Sequence, residues 1–336
     1  MTRHEGLIVG AGGVARLAHY PAYLHDPALA SRVAITGVVD SRVPAPDLGG
    51  LPVYPTIAAA IAAQRVDFVD ICTPTASHQA LTLQALESGL HVFCEKPVAI
   101  DLAEAASLAD AARAAGRVLF PCHQYRENPA WRQLARWIAD GAIGAWHLAE
   151  FHVYRAEADR GTISSAAVPW RGQRADSLGG VLLDHGTHLL YLLLDVGGMP
   201  LAVQAHLATL GHGSYDVEDT AHVVLDFPRR AATITLTWAG QERENRIRFI
   251  GSAGMAEWVG GTLRLVRRDG QTESTDFSAQ LDKREYAGWM SRVLGRFSDA
   301  MDNGSSPESL REITQVATIL GAAYRSAEEG RRISLA

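Results

Sequence analysis

Short apolar runs alternate with helical periods through the first third of the chain. Leu7-Ile8-Val9 leads into a run of small residues, and Val33 to Val39 is a second apolar run ending on Asp40. Val66 to Cys72, Leu90 to Cys94 and Arg117 to Cys122 read as further strands. Between them, Ser77 to Glu87 reads as a helix with Ser77 as its N-cap, and Leu102 to Ala115 as an alanine-rich helix closed by Gly116. Strands alternating with helices of about 10–15 residues predict a parallel, doubly wound α/β sheet. Ligands of such sheets bind beyond the carboxyl ends of the strands, which puts Thr73-Pro74, Glu95-Lys96-Pro97 and His123-Gln124 on one rim.

The rhythm changes after Pro129. An amphipathic helix, Trp131 to Ala139, ends at Gly141, and a strand runs from Trp146 to Tyr154. The polar stretch from Arg155 to Asp176 contains Trp170-Arg171 and is long for an idle connection, which points to substrate contact or interface packing. Gly179-Gly180 then opens a helix reaching about Asp195. Runs over 202–210, 220–227, 232–238 and 246–250, extended by 255–259 and 263–266, follow one another without helices. They predict a large, predominantly antiparallel sheet with one face on helices. Helices over about Arg284 to Asp302 and Ser306 to Glu329 close the chain.

At 336 residues the chain has room for two cores. Its net charge of −6 is spread among mixed signs, with no basic stripe and interleaved aromatics of the kind nucleic acid requires. Apolar runs such as Leu189 to Leu194 are too short to span a membrane, and the N-terminus reads as strand and turn rather than as a leader. Three cysteines without a C-x-x-C pair give neither a disulfide framework nor a zinc knuckle. Cys72, Cys94 and Cys122 each fall at a strand end, as small buried thiols or, alternatively, a redox trio. A cytoplasmic protein is expected.

Gly10-Ala11-Gly12-Gly13-Val14-Ala15 follows the first strand and fits G-x-G-x-x-G/A. Gly10 would make the turn, Gly12 would admit a pyrophosphate, and Ala15 would let helix and strand pack. The next helix start offers N–H groups to phosphate. Asp40, with Ser41 and Arg42 behind it, lies where a ribose-binding acid belongs. Asp40 favours NAD, while Arg42, an exposed loop arginine or a partner for a 2′-phosphate, leaves NADP open. Farther on, Asp184 and His188 stand at i, i+4, one turn apart on a helix face that Tyr191 continues, with His185 as packing or hydrogen-bonding support. A structural ion pair reads equally from that spacing; a zinc site at His185 and His188 lacks further ligands.

Gly10-x-Gly12-x-x-Ala15, Thr73-Pro74-x-x-x-His78, Glu95-Lys96-Pro97 and Gly179-Gly180-x-x-x-Asp184-x-x-x-His188 occur in that order. The ordered set resembles the glucose-fructose oxidoreductase / inositol 2-dehydrogenase / rhizopine-catabolism family, over nearly the whole chain. The resemblance implies a Rossmann domain over 1–122 and an α/β substrate-binding and oligomerisation domain over 123–336, built on a large open sheet. It implies NAD or NADP as cofactor, held by residues 10–15 and 40–42 with Thr73, Pro74, His78, Glu95, Lys96 and Gln124. Lys96, before a proline that is often cis in the family, would reach the reacting oxygen, joined by Asp184 and His188. Tyr125, Arg126, Trp170, Arg171 and Tyr191 would line the substrate side. Many members carry an acid where this chain has Tyr191. The implied activity is hydride transfer at a carbinol or ketone carbon of a sugar, cyclitol or related polyol. Two alternatives are a glycosidase that oxidises its substrate transiently and a non-catalytic dinucleotide sensor. A homo-oligomer, dimer or tetramer, through the C-terminal sheet is expected by analogy of fold.

Overall fold

The computed structural model describes residues 3–42, 44–158, 168–281 and 286–335. The chain divides into two compact units, one made of residues 1–124 and 283–314, the other of 125–282 and 315–336.

The first unit holds a six-stranded sheet of β1 (His4–Val9), β2 (Val33–Val39), β3 (Val53–Tyr54), β4 (Phe68–Ile71), β5 (His91–Cys94) and β6 (Leu119–Pro121). Its order is β3-β2-β1-β4-β5-β6 and every pair is parallel. Strand order reverses across β1 and β4, so a crevice opens beyond their carboxyl ends. The helix Leu102–Ala115 is capped by Asp101, which accepts the Glu104 N–H, and closed by Gly116 at φ +59°. Ser77 does not cap the helix His78–Glu87. Its hydroxyl donates instead to Thr73 Oγ1 and to the Pro74 carbonyl.

The helix after the glycine loop contains a π turn over Ala15–His19, where the Tyr20 N–H reaches back five residues to the Ala15 carbonyl. Pro21 follows and has no N–H to give the preceding turn, so the widened turn absorbs the mismatch.

The first stretch of the first unit ends at Gln124. The helix Tyr286–Asn303, however, belongs with the first unit. Met290, Val293, Leu294, Phe297 and Met301 form an apolar stripe buried with Phe68, Phe93 and Phe120, and Phe297 lies 5.4–5.9 Å, ring to ring, from all three. Position 284, read as the start of this helix, lies outside the described residues.

The second unit is built on nine strands: β7 (Trp146–Tyr154), β8 (Ala202–Ala208), β9 (Thr220–Phe227), β10 (Arg230–Thr237), β11 (Glu244–Gly251), β12 (Gly254–Val259), β13 (Thr262–Arg267), β14 (Thr272–Asp276) and β15 (Ile333–Ser334). Their order is β14-β13-β12-β11-β7-β10-β9-β8-β15, antiparallel except for the central β7–β10 pair. Alternate residues such as Phe151, Leu225, Ile234, Leu236 and Phe249 are buried on one face. The helix Pro129–Ala139 and the turn Leu182–Gly186 pack on that sheet, at β12 and β10. Every residue of β14 is exposed, which is why no apolar alternation announces it. Among the described residues no helix is long and apolar enough to cross a membrane.

Candidate active site

The glycine loop leaves β1 at Gly10, whose φ of +92° favours glycine and where a Cβ would lie 2.7 Å from Thr73 Cγ2. At Gly12 a Cβ would meet nothing within 4 Å, so the loop faces open space at the strand ends. Ala11 and Ala15 are fully buried behind it, and Val14 packs in the same cluster. Asp40 ends β2 and accepts the Ala11 N–H (2.9 Å) together with the backbone and side-chain N–H groups of Arg42. Arg42 hydrogen bonds, against the cost of burial, hold the Asp40 carboxyl at about 2. Ser41 is exposed beside it. An ionised carboxylate at the end of β2, a glycine turn free of side chains and an open approach at Gly12 fit a dinucleotide.

At the ends of β4 and β5 the residues brace one another. His78 is buried with Nδ1 2.8 Å from the Pro97 carbonyl and Nε2 2.9 Å from that of Thr73. Burial, set against those two carbonyls, leaves its pKa below the ordinary value. Its ring ties the Thr73-Pro74 loop to the cis Lys96–Pro97 peptide. Glu95 faces inward, with Oε2 accepting the Lys96 N–H (3.0 Å) and Oε1 2.9 Å from His19 Nε2. Burial works to raise the Glu95 pKa, but the His19 hydrogen bond and charge, with Lys96, bring it to about 2. Gln124 is buried at the edge of the same cluster, 3.7 Å from Cys122 Sγ, while His123 turns to Glu312 (3.2 Å).

The second unit carries the other half of the expected set. Gly180 is obligatory where the chain passes Glu218, since a Cβ there would lie 1.8 Å from the Glu218 carbonyl oxygen. Glu218 caps the turn that follows: its carbonyl accepts the Val181 N–H, and its carboxylate accepts the Leu182 N–H and the Tyr324 hydroxyl. The turn Leu182–Gly186 is again π, and Thr187–Gly197 continues it as an α-helix. The Asp184 carboxylate lies 2.9 Å from His185 Nδ1 and 3.4 Å from Arg171 Nε, and the Arg171 guanidinium covers the Trp170 ring at 4.4 Å.

His188 is buried. Its Nδ1 is 2.9 Å from the Tyr191 hydroxyl, and its ring stacks on Tyr125 with centroids 4.1 Å apart and 15° between planes. The Tyr125 N–H also donates to the Tyr191 oxygen (3.1 Å), and Arg126 lies over the Tyr191 ring while pairing with Asp195. Tyr191, the departure from the family pattern, is therefore a hydrogen-bonding partner of His188. A separate groove among Trp131, Arg132, Arg136, Trp146 and Arg230 includes Arg126 but neither Asp184 nor His188.

Sequence reasoning missed His19, Asp70 and Glu218. Asp70 carried a signal, as a charge inside the apolar strand Phe68–Ile71. His19 and Glu218 carried none, because their partners lie 36 to 106 positions away.

A parallel sheet with its glycine loop, a strand-end acid and a braced lysine turn defines a dinucleotide-dependent oxidoreductase. Residues 5–123 match the oxidoreductase family with an NAD-binding Rossmann fold, and residues 131–257 match the GFO/IDH/MocA C-terminal domain. The chain is 30% identical to a 1,5-anhydro-D-fructose reductase of Ensifer adhaerens, over 79% of this chain and 80% of that one. It is 28% identical to the D-glucoside 3-dehydrogenase of Escherichia coli K12, over 98% and 96%. A levoglucosan dehydrogenase solved with NADH and levoglucosan shares the fold at a TM-score of 0.85 and 21% identity, covering 99% of this chain and all of that one. The chain belongs to the GFO/IDH/MocA family, as a nicotinamide-dependent dehydrogenase or reductase acting on a CH–OH group.

Proposed function

We propose that the protein moves a hydride to or from a secondary carbinol carbon of a sugar, cyclitol or related polyol, with Lys96 and His188 acting at the reacting oxygen. The observation that carries the reading is the braced turn at the end of β5. Glu95 holds the Lys96 N–H and His78 holds the Pro97 carbonyl, so the lysine stem leaves a fixed backbone on the NAD-binding unit. A preorganised cation of this kind stabilises developing alkoxide charge. NAD, held by residues 10–15 and Asp40, accepts or supplies the hydride when bound. His188 takes or returns the hydroxyl proton, its ring fixed by Tyr191 and Tyr125. Asp184, braced by Arg171 and His185, binds a neighbouring hydroxyl. The curated relatives named for glucoside and anhydrofructose chemistry support a pyranose-like substrate. Assembly through the large sheet of the second unit, in the cytoplasm, belongs to the same reading.

The test is a panel of polyols and keto-sugars with NAD and NADP, read by absorbance of the reduced cofactor. Turnover with at least one pyranose or cyclitol is expected. Sugar release without accumulation of reduced cofactor would point to transient oxidation instead. Silence with dinucleotide binding intact would remove the dehydrogenase reading.

A further inference from the structure

Behind Glu95, among the described residues, lies a buried polar cluster whose other members the mechanism above does not use. His19, at the end of the π turn, has no exposed surface. Its Nδ1 is 2.9 Å from both oxygens of Asp70 and its Nε2 is 2.9 Å from Glu95 Oε1. Tyr23 donates to Asp70 (3.0 Å), as does the Cys72 thiol (3.5 Å), and the Cys122 thiol donates to Glu95 (3.3 Å). Phe93 closes the remaining side with its ring 5.9 Å away. An ionised carboxylate only accepts hydrogen bonds, so a ring with one at each nitrogen needs a proton on both.

We propose that His19 is a positioning residue, held as an imidazolium between Asp70 and Glu95, and that it locks the Glu95 carboxylate onto the Lys96 N–H and so fixes the catalytic lysine turn. The inference rests on Lys96 acting at the reacting oxygen. The charges alternate from contact to contact, Asp70, His19, Glu95, so the buried carboxylates are compensated by the ring between them. Burial works against the charged ring, yet the Asp70 carboxylate and the hydrogen bonds raise the His19 pKa well above its usual value.

The cluster offers metal-like donors in two triads, His19 with Asp70 and Cys72, and His19 with Glu95 and Cys122. Burial pushes both thiols up, however, and each carboxylate already receives an imidazole N–H. The donors are spent on hydrogen bonds, and a proton does the work a cation would do.

The first test reads the ring directly. In histidine-selective nitrogen–proton correlation spectra, the signals lost in His19→Gln should show both ring nitrogens protonated up to pH 8. A neutral, singly protonated pattern at pH 7 overturns the proposal whatever the activity data show. The second test is a double-mutant cycle on kcat. His19→Gln and Glu95→Gln should each lower kcat by about tenfold or more, with dinucleotide Kd held within about threefold. The pair together should lose scarcely more than either alone, because both break one chain of contacts. Full additivity, or an unchanged kcat in folded His19→Gln while Lys96→Ala is inactive, would sink the proposal and leave the lysine mechanism standing. An active Lys96→Ala would instead remove the mechanism and leave the protonation test to judge the ring.

Discussion

Two buried histidines, His19 and His188, sit at similar landmarks in the two units and are held by different kinds of partner. His19 ends one π turn and His188 follows another. His19 is clamped between two carboxylates, an arrangement that favours the charged ring. His188 has the Tyr191 hydroxyl at its Nδ1 and the Tyr125 ring stacked on its face. Those contacts fix the orientation of the ring, which the proposed acid–base role requires. Residue type gave no hint of this division, which the neighbours impose.

The largest effect is expected at the lysine of the proposed mechanism. Lys96→Ala should lower kcat by about 10²-fold or more while dinucleotide affinity, measured by fluorescence titration, stays within about threefold. Equal losses in affinity and turnover would make the lysine a cofactor anchor. His188→Asn keeps a polar atom near the Nδ1 position but cannot carry a proton, and a kcat loss of about 10²-fold or more is expected. Tyr191→Phe is subtler. Loss of the hydroxyl frees the His188 Nδ1 and the Tyr125 N–H, and a kcat decrease of about tenfold at constant fold is expected. No change in that variant would reduce Tyr191 to packing.

The smallest effect separates the units by stability. Glu95 has a folded pKa of about 2, depressed from 4.5, so its contribution is fully present above pH 4.5 and is lost as pH falls toward 2. That contribution is on the order of 3 kcal/mol. His19, with a raised pKa, stabilises most below its unfolded value of 6.5 and loses its contribution as pH rises through the folded pKa. Melting temperatures between pH 5 and pH 2.5 should therefore fall more steeply for the native protein than for Glu95→Gln. Parallel curves would show that Glu95 contributes no acid sensitivity.

Much of the first unit was readable because its strands are short apolar runs that stop on chemistry: Val39 before Asp40, Cys94 before Glu95. The nine-stranded sheet was readable wherever one face is buried, and failed at β14, whose side chains all face solvent. The site divided along another line. Glycine turns and Glu95-Lys96-Pro97 announce themselves locally. The brace on Glu95 joins His19, Asp70 and Glu95, whose pairwise separations of 51 and 76 residues erase any periodic signal. The widened turn that delivers His19 left a trace in Pro21, a proline inside a helical stretch. Tyr191 was visible as a departure, yet only its geometry shows the hydroxyl bonded to His188.

The helix Tyr286–Asn303 has a consequence for how the protein is made. Phe68, Phe93 and Phe120 emerge from the ribosome early, but the ring that fills the space among them, Phe297, belongs to a segment synthesised after most of the second unit. At ordinary rates of translation the nucleotide-binding half waits on the order of ten seconds or more with an aromatic seam uncovered. A nascent chain stalled before residue 286 lacks the ring that closes that seam, and one extended past residue 303 has it.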